Sequence, residues 1–127
     1  MAFNVTGPWQ FNPPKEFSGK KEDFEEFAFK LKACLSIMNA SHTEDLRRIE
    51  ENMDVEIVES HFNDSAGDPI EGLRERATTL QWILVALCNG AASLLLHRET
   101  STNGFESWRR LCSKYKLPSR ARAVGRL

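Results

Sequence analysis

Between Lys21 and about Asn39, the residues Phe24, Phe27, Ala28, Leu31, Cys34, Leu35 and Met38 recur at steps of three and four, the period of a helix buried along one face. Ser18 is placed to cap this first helix, and Glu22, Asp23, Glu25 and Glu26 suit its positive end. Phe29 falls off the stripe and is available to the N-terminal arm or to a partner. A second helix is expected after Ser41, because Ser41-His42-Thr43-Glu44 has the capping-box form. Leu46, Ile49, Met53 and Ile57 give its inner face, and Glu50, Glu51, Asp54, Glu56 and Glu59 its wet one. Its end near Phe62 stays open, since Val55-Glu56-Ile57-Val58 also reads as a short strand. A polar loop through Asn63–Asp68 leads to a third helix, with Asp68 as cap and Pro69 in the first turn. Leu73, Ala77, Leu80, Leu84 and Leu87 line one side of it, and Trp82, Ile83, Val85 and Cys88 most of the rest, which predicts the central helix of a bundle. Asn89-Gly90 stops it. A short helix over Ala91–His97 follows, then a cap among Ser101, Thr102 and Asn103. The last helix, about Gly104–Lys116, carries Phe105, Trp108, Leu111, Cys112 and Tyr115, and Pro118 ends it. The expectation is an all-α, compact bundle of about five helices over residues 21–117.

The flanks differ from this body. Residues 1–20 contain Pro8, Pro13 and Pro14, so no helix runs through them. Trp9, Phe11 and Phe17 alternate with other residues there, as in an extended arm laid on a helical core. Residues 118–127 read as a basic linker or the start of a following helical lobe, with Ser119 as cap and Ala121, Val124 and Leu127 on one side. That pattern suggests the front part of a longer polyprotein. Internal repeats and low-complexity segments are not apparent.

Charge divides along the same line. Residues 1–97 hold 9 basic and 16 acidic residues, a net charge of −7. Residues 98–127 hold 8 basic and 2 acidic ones, a net charge of +6. An acidic body with a basic end can associate head to tail or attract a polyanion. Arg120, Arg122 and Arg126 are the candidate nucleic-acid contacts, of the nonspecific, phosphate-directed kind. Trp108 and Tyr115 belong to an apolar stripe and are not offered for stacking on bases.

Little points to catalysis. Cys34, Cys88 and Cys112 are odd in number, widely spaced and set among apolar residues, which favours buried thiols in a reducing, cytoplasmic setting. Cys88, His97 and Cys112 match no common metal-ligand spacing. His42, His61 and His97 sit at helix ends, where capping or surface roles are expected, and the carboxylates fall on faces expected to be wet. The glycines are isolated and form no phosphate loop. The longest apolar-rich stretch, Leu80–Leu96, is interrupted by Gln81, Asn89, Gly90 and Ser93 and reads as buried helix, not as a membrane span. No catalytic residue, cofactor, metal, membrane or small-molecule substrate is expected.

Two blocks carry a family resemblance. Pro14-Lys15-Glu16-Phe17-Ser18-Gly19, followed by Phe24-Glu25-Glu26-Phe27-Ala28-Phe29-Lys30-Leu31, resembles the entry and aromatic first helix of retrotransposon Gag capsid domains. Leu94-Leu95-Leu96, then Thr102-Asn103-Gly104-Phe105-Glu106-Ser107-Trp108-Arg109-Arg110-Leu111 and Tyr115, is similar to the later block of that family, in its copia-type branch. The resemblance spans about residues 13–127, with the middle loop poorly matched. Phe24 and Phe27 stand where the family often carries a Trp, and no zinc knuckle occurs in these residues.

The resemblance implies a retroviral-capsid-like N-terminal lobe that self-assembles as a homo-oligomeric shell, with RNA packaged through the wider polyprotein. By matched position it makes Phe17, Phe24, Phe27, Trp108, Leu111 and Tyr115 core residues. Two alternatives stand beside it. One is a helical adaptor that binds a peptide or protein in a groove beside the arm, lined by Trp9, Phe11 and Phe29. The other is a nucleic-acid binder acting through the basic end.

Overall fold

The structure, a computed structural model, describes residues 14–97 and 102–116. Helix α1 (Phe24–Met38) is entered through a 3-10 turn at Lys21–Asp23 and buries Phe24, Phe27, Ala28, Leu31, Cys34 and Leu35. Ser18 is not its cap. The Ser18 carbonyl accepts the Ala91 N–H at 3.1 Å, and Glu25 and Glu26 remain to meet the positive helix end. Met38, expected inside, lies 43% exposed at the end of the helix.

Helix α2 (Ser41–Glu51) follows closely. Its capping box does not form: the Asn39 side-chain oxygen accepts the Ser41 N–H at 2.9 Å, and Glu44 turns to Arg47 and Arg48. Those guanidinium groups hold the Glu44 carboxyl down at about 2. The helix stops well short of Phe62, where the Asn52 side-chain amide donates to the Arg48 carbonyl at 2.8 Å. Val55–Val58 is not a strand, and the only pairings among the described residues are isolated bridges, Phe17–Cys88 and Asn63–Pro69. A 3-10 turn at Glu59–Phe62 then brings Phe62 into the core.

Helix α3 (Leu73–Leu87) begins after Gly72 (φ +77°), not at Pro69. Asp68 is used up in the preceding loop: its N–H, like that of Ala66, donates to the Asp64 carboxylate, at 3.0 and 2.9 Å. The buried positions of α3 are Ala77, Leu80, Gln81 and Leu84, while Trp82 and Val85 face out. α3 is therefore one-sided, not central. Among the described residues, helices α4 (Gly90–His97) and α5 (Gly104–Tyr115) complete an all-α bundle of five helices. Asn103 is the cap of α5, accepting the Glu106 N–H at 3.1 Å. The central place falls to α5, which packs on α2, α3 and α4 and buries eight of its residues.

Two features lock the bundle. The arm residue Phe17 runs beside the end of α3: its N–H donates to Leu87 at 2.8 Å and its carbonyl accepts from Asn89 at 2.9 Å. Its ring lies 5.3 Å from Phe24, 5.1 Å from Phe27 and 5.0 Å from Tyr115, and Phe24 lies 5.7 Å from Trp108. All six residues expected as core by family position are buried here. The second feature is Gly104. A Cβ there would meet the Ala77 carbonyl oxygen at 2.3 Å and the Gln81 nitrogen at 2.4 Å, so only glycine lets α5 start this close to α3.

Candidate functional site

Three carboxylates expected at the surface lie inside or at the rim of the core. Glu106 is 1% exposed. It accepts from Arg109 at 2.8 and 2.6 Å, from Arg110 at 2.9 Å and from the Ile57 N–H at 2.9 Å. Burial pushes its carboxyl upward, but the Arg109, Ile57 and Arg110 hydrogen bonds outweigh this and keep it below the ordinary range. Glu50, on the face of α2 expected to be wet, accepts from Lys32 at 3.0 Å, Lys116 at 2.6 Å and the Trp108 indole N–H at 3.2 Å. Here too burial is outweighed, by Lys116 and Lys32, and the carboxyl is lowered. Both carboxylate oxygens of Asp45 accept from one edge of the Arg76 guanidinium, its Nε and Nη2. Each of these groups joins segments distant in the chain, so each is a clamp: Glu106 ties the 52–58 loop to α5, Glu50 ties α1 and α2 to α5, and Asp45 ties α2 to α3.

His42 is also buried, contrary to the surface or capping role expected for it, and its Nδ1 has no hydrogen-bond partner. Burial lowers its pKa; Asp45 opposes this and Arg76 adds to it. His61 and His97 stay near the surface, where His61 Nδ1 accepts from the Val58 N–H at 3.1 Å. The three cysteines are buried as expected, and burial pushes the Cys88 and Cys112 thiols up to about 12. Such thiols stay protonated at neutral pH and are weak nucleophiles. Among the described residues no cluster of His, Cys, Asp and Glu could hold a metal ion, and no helix is long and apolar enough to cross a membrane.

Of the residues singled out as binding candidates, Trp9, Phe11, Arg120, Arg122 and Arg126 lie outside the described residues. Phe29 is 72% exposed and edges a groove of about 540 Å³ between α1 and α2, with Lys32, Ala33, Leu46 and Glu50. Ala33 and Ile37 continue its line at i+4 and i+8, an outer apolar stripe hidden in the sequence by the stronger inner one. A second outer face is the exposed side of α3, with Trp82 at 59% and Val85 at 46%. Leu94 stands out on α4. A third feature is a cleft of about 340 Å³ lined by Ile49, Val55, Ile57, Leu73 and Phe105. Apolar side chains are thus shown to solvent on α1, α3 and α4.

Comparison with protein-family models, with curated proteins and with solved structures finds no match to this chain.

Proposed function

We propose that this chain is a structural, Gag-like capsid domain of a retrotransposon or a domesticated descendant, and that it works by self-association into a particle that packages RNA. One observation carries the reading. The two blocks that resemble Gag capsid domains are separated by about half of the chain, residues 32–93, yet their aromatic residues pack as a single cluster of Phe17, Phe24, Phe27, Trp108 and Tyr115. The two halves of the signature thus form one packing unit, which supports the reading. The outward Phe29, Ile37, Trp82 and Leu94, on three different helices, suit a subunit that touches several neighbours.

Light scattering across a concentration series tests the reading. A mass that climbs beyond the monomer, and climbs further with added RNA, is expected. A monomer throughout, with or without RNA, contradicts it.

The adaptor alternative has one observation in its favour, the apolar cleft bounded by Ile49, Ile57, Leu73 and Phe105, which suits an apolar side chain of a bound peptide. Saturable binding of apolar peptides by a monomeric chain, lost in Ile57→Asp, is the result that favours it.

A further inference from the structure

The outward side of α3 is built in an unusual way. Glu75, Thr78, Thr79, Trp82, Val85 and Ala86 fall on one face at helical spacing. Trp82 is the one large side chain at its centre. Thr78 and Ala86, four residues before and after it, are small, and Thr79 and Val85 at three residues either side are modest in size. A knob flanked by shallow positions on both sides is self-complementary: the Trp of one copy can lie on the small residues of another running the opposite way.

Charge points to the same occupant. From Ala77 to Leu96 the chain has no Asp, Glu, Lys or Arg, although 28% of all residues are charged. Residues 1–97 together carry −7, so an acidic surface of this body meeting its own copy brings like charges together. On the α3 face the single charge is Glu75, two turns from Trp82, and an antiparallel contact centred on Trp82 keeps its two copies apart. A partner with a basic surface would favour the acidic flanks and gain little from the uncharged stretch around Trp82. A second copy gains most from this one, because every charge brought to a two-fold contact is brought twice.

We propose that the outer face of α3 is where two copies of this chain meet, in an antiparallel two-fold contact centred on Trp82. The proposal rests on the self-association reading above and names its surface. A contact one helix long, about 22 Å at 1.5 Å per residue, covers less than the ~1,200 Å² of a stable specific interface, so the pair is weak alone. Weak contacts of this kind become effective when several act together in an assembly.

Sedimentation equilibrium of the full chain tests it, with circular dichroism to verify folding. Trp82 and Ala86 are both exposed, so Trp82→Glu and Ala86→Glu keep the helix content. Each is expected to weaken dimerisation by about tenfold or more. Phe29→Glu, on the exposed side of α1, is expected to leave it within about twofold. High salt is expected not to weaken the wild-type dimer. An unchanged dimer in both α3 variants, or a dimer lost only in Phe29→Glu, overturns the proposal and leaves the capsid reading standing with another contact. A wild-type chain that is monomeric at every concentration also overturns it. A dimer that Trp82→Glu abolishes, from a chain that never forms larger particles, supports the contact and contradicts the capsid reading.

Discussion

Gly104→Ala sets two physical effects against each other, and the structure decides the sign. Alanine is the better helix former, by up to about 1 kcal/mol in a helix interior. On propensity alone the change is neutral or stabilising. In the bundle, the new methyl would sit 2.3 Å from the Ala77 carbonyl oxygen and 2.4 Å from the Gln81 nitrogen. Non-bonded carbon atoms prefer roughly 3.5–4.0 Å, so α5 must retreat from α3 by about 1 Å. Both obstacles are backbone atoms of a packed helix and cannot rotate away. The retreat also stretches the Ser107–Gln81 side-chain hydrogen bond, 2.6 Å long and buried. Overpacking of this kind costs about 1–3 kcal/mol, and rigid backbone puts this case at the upper end. After subtracting the propensity gain, a net loss of about 2 kcal/mol is expected. For a chain of this size that lowers Tm by roughly 8 °C. Thermal and urea unfolding followed by circular dichroism measure it. A variant as stable as the wild type, or more so, refutes the close approach of α5 to α3.

Three further outcomes follow from the interior. Glu106→Ala removes the acceptor shared by Arg109, Arg110 and the Ile57 N–H, and a loss of about 3 kcal/mol in urea unfolding is expected, at the lower end for a broken buried pair because both arginines reach water. Tyr115→Phe removes a buried hydroxyl with no hydrogen-bond partner, so its stability is expected to equal or exceed that of the wild type; a loss above about 1 kcal/mol would show a hidden partner. His42 has a folded-state pKa below its ordinary 6.5, so the unfolded chain binds the proton more readily, and stability present above pH 6.5 is lost as the pH falls through the lowered folded value. His42→Leu is expected to flatten the stability profile between pH 7 and the onset of carboxylate protonation, and an unchanged slope there would sink the assignment.

The inner stripe of α1 and the apolar face of α5 were legible because burial repeats there at the helical period without interruption, from Phe24 to Leu35 and from Phe105 to Tyr115. The sequence offers three caps for α5, of which Asn103 has the side chain that reaches the Glu106 N–H. Elsewhere local pattern misled. Ser41 and Asp68 look like caps, but the Asn39 side chain serves the entry of α2, and α3 starts after Gly72, with Asp68 held in the preceding loop. Trp82 counts as apolar and Gln81 as polar, yet Gln81 turns inward to meet Ser107, a partner 26 residues away. Glu50 reads as one more acid in a wet run, and only the fold brings Lys32, Lys116 and Trp108 around it. Buried polar positions are set by partners distant in sequence, so composition and period do not reveal them. The outward apolar faces are obscured for a related reason: Phe29 and Trp82 are as apolar as the core residues beside them.

Self-assembly is tested most directly by electron microscopy of the concentrated chain, imaged with and without RNA and after nuclease treatment. Regular particles or sheets that protect RNA from the nuclease, and that are lost in Trp82→Glu, are the predicted result. A field of dispersed single subunits under every condition, with all added RNA digested, would contradict the capsid account.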